Sequence, residues 1–244
     1  MQTHVFKTAQ QVGEAAATLI AAQLLRKPDS ILGLATGSSP IPTYEALIRM
    51  YRQGVLDFSR ATSFNLDEYV GLPADHPCSY HHFMQEHLFS HINIRPENVH
   101  IPDGGAADLQ AAAHAYDAAI LAAGGIDLQL LGIGRNGHIG FNEPGEHFVY
   151  GCHKVRLSES TIRANKRFFF SEADVPRYAV SLGIGSIMQS RQVLLLATGA
   201  EKAEAVRRAL EGDVSPLWQA SILRTHPDAI FLLDEAAASR LTGA

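Results

Sequence analysis

Residues 31–40 read ILGLATGSSP, and this stretch decides the fold. A short apolar run ends at residue 35, a Gly-Ser-Ser turn follows, and a helical pattern begins near Pro42. A buried strand that leads through a short turn into a helix is the repeating unit of parallel α/β sheets. The stretch therefore predicts a strand inside a sheet that is covered by helices.

The same unit recurs along the chain. Strands are predicted from apolar or β-branched runs at residues 31–35, 61–65, 126–133, 192–198 and 229–234. Helices are predicted from apolar residues at helical spacing over residues 9–25, 42–53, 80–89, 108–122, 201–211 and 235–241. The alternation predicts an α/β fold with an open, mostly parallel sheet and helices on both faces. Ligands of such sheets bind outside the carboxyl ends of the strands.

Composition narrows the classes of protein that fit. The 244 residues are 46% hydrophobic, which suits one large core, and no repeat or linker divides the chain, so residues 1–244 are expected to form a single domain. A net charge of −5 without a basic stripe argues against nucleic acid as a partner. No apolar run is long enough to predict a membrane span, and no secretory signal is evident. Cys78 and Cys152 are isolated, as expected in the reducing cytoplasm.

Two strand ends carry simple polar groups. At the first, Gly37, Ser38 and Ser39 precede a helix, so the serines either cap that helix or help backbone N–H groups to bind an anion such as phosphate. At the second, Asp67 and Glu68 are adjacent acids, either solvated or placed so that one is a general base with a raised pKa. Adjacent side chains point in different directions, so at most one of them is expected to face a ligand.

The third strand end is rich in glycine. Residues 132–145 read GIGRNGHIGFNEPG, which contains the spacing G-x-G-x-x-G of dinucleotide-binding turns. We reject that interpretation because Gly140, Pro144 and Gly145 interrupt the long helix that such a turn should open. The stretch instead brings His138 and Glu143 close together, as an acid/base couple in which the carboxylate orients the imidazole.

Other charged residues allow more than one interpretation. Lys202 and Arg167 are either solvated surface charges or groups that bind an anion. Histidines between residues 76 and 87 lack the spacing of a helical zinc motif, so no metal is predicted. Residues 143–167 show no regular period and are either a mobile lid or an ordinary surface excursion.

Four motifs taken together resemble the glucosamine-6-phosphate deaminase family, in the same order over nearly the whole chain. They are LATGSSP at 34–40, FNLDEYVGLP at 64–73, GIGRNGHIGFNEP at 132–144 and TGAEK at 198–202. The resemblance implies a modified Rossmann-like fold that binds no nucleotide. It also implies conversion of glucosamine 6-phosphate and water to fructose 6-phosphate and ammonium. No metal or organic cofactor is predicted, because ring opening, proton transfer and loss of ammonia can all run on Asp67, His138 and Glu143.

The resemblance also implies roles for single residues. Asp67 matches the base that moves a proton between C2 and C1 of the open-chain sugar, His138 the acid/base that opens the ring, and Glu143 its orienting carboxylate. Many members have Asp where this chain has Asn136, so Glu143 is expected to carry more of the stabilisation of the imidazolium. The phosphate-binding positions match Gly37, Ser38, Ser39, Arg167 and Lys202.

Alternatives to this function remain open at the level of sequence. They are a galactosamine-6-phosphate deaminase, a 6-phosphogluconolactonase of the related fold, and a non-catalytic sugar-phosphate sensor domain. Allosterically activated hexameric members place basic residues after the FNEP segment, whereas this chain has Glu146 there and ends at Ala244. A monomer or small homo-oligomer without activation by N-acetylglucosamine 6-phosphate is therefore expected.

Overall fold

The computed structural model describes residues 1–242. Ten strands are formed by those residues: β1 (Gln2–Phe6), β2 (Ile31–Leu34), β3 (Thr62–Asn65), β4 (Asp67–Tyr69), β5 (Val99–His100), β6 (Leu128–Gly132), β7 (His153–Arg156), β8 (Tyr178–Ser181), β9 (Gln192–Ala197) and β10 (Ala229–Asp234). Eight α-helices accompany the strands in the described chain: α1 (Ala9–Arg26), α2 (Ile41–Arg52), α3 (Tyr80–His87), α4 (Leu109–Ala123), α5 (Glu159–Asn165), α6 (Ile184–Met188), α7 (Ala203–Leu210) and α8 (Glu235–Ala238).

Seven strands form one parallel sheet, in the order β1-β10-β9-β6-β2-β3-β5. The predicted parallel α/β architecture is confirmed. After β2 the chain adds β3 on one side of it, and later adds β6 on the other side. The strand order therefore reverses between β2 and β6, and such a reversal opens a crevice at the carboxyl ends of the two strands.

Side-chain alternation in the central strands builds a core on both faces of this sheet. Leu195 packs into a cluster that also holds residues of α4, α7 and α8. Its neighbours Leu194 and Leu196 pack on the opposite face, together with α1 and α2. Strands that are buried on both faces need apolar residues at successive positions, which explains the continuous run in β9.

A second, antiparallel sheet of three strands, β4-β8-β7, was not predicted. It stands beside the carboxyl ends of the main strands, because β4 begins directly after Leu66, which follows β3. Val180 and Leu182 lie in the same hydrophobic cluster as Leu195 of the main sheet. The antiparallel sheet and the main sheet therefore share one hydrophobic cluster.

Candidate active site

A cavity of about 750 Å³ opens at the reversal point of the main sheet. The loops after β2, β6 and β9 form its walls together with β4 and the segment around α5. Eight of the nine residues that the sequence predicted for the site line it: Gly37, Ser38, Ser39, Asp67, Asn136, His138, Arg167 and Lys202. Glu143, the ninth, lies behind His138.

The side chains of Asp67 and Glu68 point in different directions, as predicted from the sequence. The Asp67 side chain faces the cavity, although the residue is only 6% exposed. Glu68 points the other way and accepts hydrogen bonds from the backbone N–H groups of Tyr69, Tyr80 and His81, at 2.8, 3.0 and 2.9 Å. Two of these donors belong to the first turn of α3, so Glu68 satisfies two N–H groups at the start of that helix, whose N-cap residue is Ser79.

The surroundings of Asp67 favour the protonated form of its carboxyl group. Burial raises the pKa of Asp67 to about 8, and the charge of Glu68 adds to the effect. Within residues 1–242, no side chain or backbone group donates a hydrogen bond to its carboxylate. A carboxylate without such donors is a stronger base than one in water, since less stabilisation is lost when it takes up a proton.

His138 lies close against its own turn. A Cβ atom added to Gly134 would meet the imidazole at 2.3 to 2.5 Å, so the ring occupies the space above that glycine. The turn is closed by a hydrogen bond of 2.9 Å from the Gly134 N–H to the His138 carbonyl. The second glycine of the G-x-G-x-x-G spacing therefore makes room for an imidazole, not for a pyrophosphate.

Glu143 is held behind the imidazole. Its Oε2 atom lies 3.7 Å from Nδ1 of His138 and accepts a hydrogen bond of 2.7 Å from Nδ2 of Asn136. Burial raises the pKa of Glu143, but His138, Thr161 and Asn136 outweigh that effect and bring it to about 2. Glu143 is thus a stable anion beside the imidazole.

Asn136 acts on this pair from the side. Its amide donates to Glu143, and its Oδ1 accepts from the backbone N–H of His138 at 3.3 Å. The amide therefore fixes the carboxylate and the turn without adding a charge of its own. Between these two side chains, the charge beside the imidazole is therefore that of Glu143 alone, and its role in stabilising an imidazolium stays a prediction.

Gln219 anchors the loop that carries Glu143. The residue is 2% exposed, and its Nε2 atom lies 3.2 Å from the Glu143 carbonyl, 3.4 Å from that of His147 and 2.8 Å from that of Pro216. No sequence motif pointed to it, because its partners in the loop lie more than seventy positions earlier in the chain.

Positive groups lie in the part of the cavity near the Ser38 turn. Arg167 donates to Oγ of Ser38 at 3.4 Å, and Lys202 donates through Nζ to the carbonyl of Ile133 at 2.6 Å. Burial lowers the pKa of Lys202 to about 8. The arrangement places two cations and the hydroxyl turn around one space, as the recognition of a phosphate requires.

Comparison with known proteins decides the family. Residues 5–231 match the family described as glucosamine-6-phosphate isomerases/6-phosphogluconolactonase. The chain belongs to this family. It is 54% identical over 241 residues to a glucosamine-6-phosphate deaminase of Clostridioides difficile, covering 99% of this chain and 97% of the relative.

Solved structures of the family share the fold. One, described as a monomeric glucosamine-6-phosphate deaminase, superposes with a TM-score of 0.96 at 46% identity and covers 98% of this chain and 99% of that chain. A 6-phosphogluconolactonase of Trypanosoma brucei gives a TM-score of 0.79 at 25% identity, with coverage of 99% and 98%.

Several aromatic residues that line the cavity were not predicted as site residues. Tyr69, Tyr80 and Phe141 line one wall, with the rings of Tyr80 and Phe141 stacked at 5.9 Å. Asn165, at the end of α5, donates to the Tyr69 hydroxyl at 2.8 Å. The wall therefore connects the antiparallel sheet to the segment predicted to be a lid.

That segment, residues 143–167, is more regular than predicted. It contains β7, which pairs with β8, and α5, whose N-terminus is capped by the side chain of Ser158. The prediction of irregular structure was wrong because the polar sequence of β7 shows no strand pattern and depends on its partner strand. The position of α5 beside the cavity is compatible with a lid, and lid motion stays a prediction.

The remaining expectations concern metal binding, the cysteines and membrane spans. Residues 1–242 contain no cluster of three or more His, Cys, Asp or Glu side chains arranged to hold a metal. Cys78 and Cys152 are unpaired thiols. In the described part of the chain, no helix is both long and apolar enough to cross a membrane.

Proposed function

We propose that this protein is a glucosamine-6-phosphate deaminase, which converts glucosamine 6-phosphate and water to fructose 6-phosphate and ammonium. The observation that carries the proposal is the buried Asp67 carboxylate in the wall of a cavity that His138 also lines, with Glu143 directly behind the imidazole. Hydrolysis of a lactone needs no base at C2, so this carboxylate favours the deaminase over the lactonase branch. High identity to relatives named as deaminases supports the same choice.

The phosphate group of the sugar is assigned to the cationic part of the cavity. The Ser38 and Ser39 hydroxyls and the backbone at Gly37 donate hydrogen bonds, and Arg167 and Lys202 supply charge. Because the phosphate is remote from C1 and C2, these contacts hold substrate and transition state alike. They set affinity more than the rate of the chemical step.

Ring opening is assigned to His138. The imidazole takes the proton from the C1 hydroxyl and returns one to the ring oxygen, and the open-chain aldehyde results. Glu143 stabilises the imidazolium that forms in between, because its carboxylate lies 3.7 Å from Nδ1. Asn136 holds Glu143 in this position.

Proton transfer between carbons is assigned to Asp67. The carboxylate takes the C2 proton, the electron pair of the broken C–H bond forms a C1–C2 double bond, and the carbonyl oxygen at C1 takes up a proton, which gives an enolamine. Protonation of C1 gives an iminium ion at C2, to which water adds before ammonia leaves. The raised pKa of Asp67 suits this step, since a carboxylate of ordinary pKa is a weak base at neutral pH.

A substrate panel tests the proposal. Ammonium release is measured with glucosamine 6-phosphate and galactosamine 6-phosphate, and lactone hydrolysis with 6-phosphogluconolactone. The deaminase assignment predicts equimolar ammonium and fructose 6-phosphate from the first substrate. Turnover confined to the lactone, turnover confined to the galacto epimer, or binding without any turnover would each support one of the alternatives instead.

Lys202→Ala and Arg167→Ala are expected to weaken substrate binding with little change in kcat. Each variant removes a charge-assisted hydrogen bond to the phosphate that contributes on the order of 1.5–3 kcal/mol. The measurement is the ratio of KM values for variant and wild-type protein from the ammonium assay. An unchanged KM with a reduced kcat would contradict the phosphate-binding role.

We also propose a monomer with hyperbolic kinetics. The solved relative at 46% identity is described as monomeric. Glu146, directly after the FNEPG segment, would repel an activating phosphate there. Light scattering should give a mass near 26.5 kDa, and N-acetylglucosamine 6-phosphate should leave the velocity curve unchanged. A hexameric mass with sigmoidal curves that the acetylated sugar makes hyperbolic would contradict this.

A cytoplasmic location is proposed on separate grounds. The thiols of Cys78 and Cys152 are unpaired, as is usual in a reducing compartment.

A further inference from the structure

Arg135 is a cation of the cavity to which no function has yet been assigned. It follows Gly134 in the turn after β6 and lines the cavity with its side chain exposed. Within residues 1–242 its guanidinium forms no ion pair and no hydrogen bond with another side chain or with the backbone. An exposed arginine on an ordinary surface is hydrated by solvent, whereas the guanidinium of Arg135 lies at the cavity, where a ligand can reach it.

Arg135 lies near Lys202, one of the two assigned cations. Lys202 reaches the carbonyl of Ile133, two residues before Arg135 in the same turn. Burial is the main cause of the lowered pKa of Lys202, and the positive charges of Arg135 and Arg167 lower it further, against the opposing effect of Glu201. The charges of Arg135 and Arg167 therefore both act on Lys202 in this part of the cavity.

Cations placed close together raise the free energy of the protein unless an anion is bound between them. Like charges repel, and in the described chain none of the three cations lies within ion-pair distance of a carboxylate. A bound dianion would remove this repulsion and give each cation a partner. The guanidinium of Arg135 can donate two parallel hydrogen bonds to phosphate oxygens, a geometry that lysine does not have.

We propose that Arg135 binds the phosphate group of the substrate as a third cation, beside Arg167 and Lys202. This inference rests on the proposed function for the identity of the substrate, but it concerns any ligand with a phosphate at this place. It makes Arg135 a binding residue, in the same turn as His138 but with a separate task.

The test uses Arg135→Ala, with Arg52→Ala as the matched control. Arg52 ends α2, is exposed and lies outside the cavity. Its replacement by alanine changes the net charge by the same amount as Arg135→Ala. The dissociation constant of inorganic phosphate is measured by calorimetry at a fixed ionic strength near 0.15 M, because salt screens such contacts. KM and kcat for glucosamine 6-phosphate are measured alongside.

Arg135→Ala is expected to raise both the phosphate dissociation constant and KM by roughly tenfold, as for the loss of one exposed charge-assisted contact. Arg135→Lys should recover part of the loss, kcat should stay within about threefold, and Arg52→Ala should match the wild type. An unchanged phosphate dissociation constant in Arg135→Ala overturns the proposal, whatever happens to kcat. If the wild type lacks deaminase activity, the proposed function fails, while the calorimetric comparison still decides the role of Arg135.

Discussion

Asp67→Asn is expected to lower kcat by roughly 10²- to 10⁴-fold, as for the loss of a general base. The amide keeps the shape of the carboxylate but cannot accept the C2 proton. KM should change little, because the phosphate contacts lie elsewhere in the cavity. Ammonium release at saturating glucosamine 6-phosphate measures the effect, and a variant that turns over at the wild-type rate would remove Asp67 from the mechanism.

The same variant is expected to be more stable than the wild type at alkaline pH. The pKa of Asp67 is about 8 in the folded protein, compared with an ordinary value of 3.8. Stability from this group is therefore fully present below pH 3.8 and is lost as the pH rises toward 8, where the buried carboxylate ionises. Removing that charge should raise Tm at pH 9 by on the order of 5 °C. A variant with a lower Tm would show that its activity loss reflects damage to the fold.

The pH dependence of the wild type follows from the same shift. In the free enzyme, kcat/KM should rise toward pH 8 as Asp67 becomes a carboxylate, and fall above it as Lys202 loses its charge. Asp67 accounts for the acidic side of the profile and Lys202 for the alkaline side.

Gly134→Ala is expected to lower kcat by about 10²-fold or more, since a small displacement of a catalytic group has effects of this size. The new methyl group would lie 2.3 Å from Cε1 of His138, and the imidazole must move away from it. The backbone at this glycine has no positive φ angle, so alanine fits the chain itself and the fold should persist.

Gly145→Ala is the control for this experiment. It adds the same methyl group near Glu143, where the nearest atom is 3.8 Å away and no strain follows. Both variants should show circular dichroism spectra like that of the wild type. Wild-type turnover by Gly134→Ala would mean that the imidazole position seen here is not required.

The main sheet could be predicted because its strands carry the signal in their own residues. Strands such as β9 and β10 are buried on both faces, and their continuous apolar runs are distinctive. The edge strand β1 was missed because its sequence, QTHVF, is mostly polar and exposed. The strands β4 and β7 were missed because they are short and depend on pairing with β8. This pairing joins segments that are far apart in the sequence and forms only when the chain folds.

The candidate site shows the same division. Asp67, His138 and Lys202 follow strand ends, so both the position rule for parallel sheets and the family motifs predict them. Gln219 gives no local signal, since its side chain acts on carbonyl groups far away in sequence. Asp234 is similar: at the end of β10 it accepts a 3.0 Å hydrogen bond from the N–H of Gly199 and so supports the turn that leads to Lys202. Such contacts exist only after the strands have assembled.

Hydrogen exchange at C1 of fructose 6-phosphate tests the central assignment most directly. In D₂O with ammonium present, the wild type should run the final steps in reverse and place deuterium at C1, which NMR detects. The rate of this exchange should fall at least about 10²-fold in Asp67→Asn. In Lys202→Ala it should reach the wild-type rate at saturating fructose 6-phosphate. Exchange at the wild-type rate in folded Asp67→Asn would contradict the account, because the proton would then move between the carbons without the carboxylate in the cavity wall.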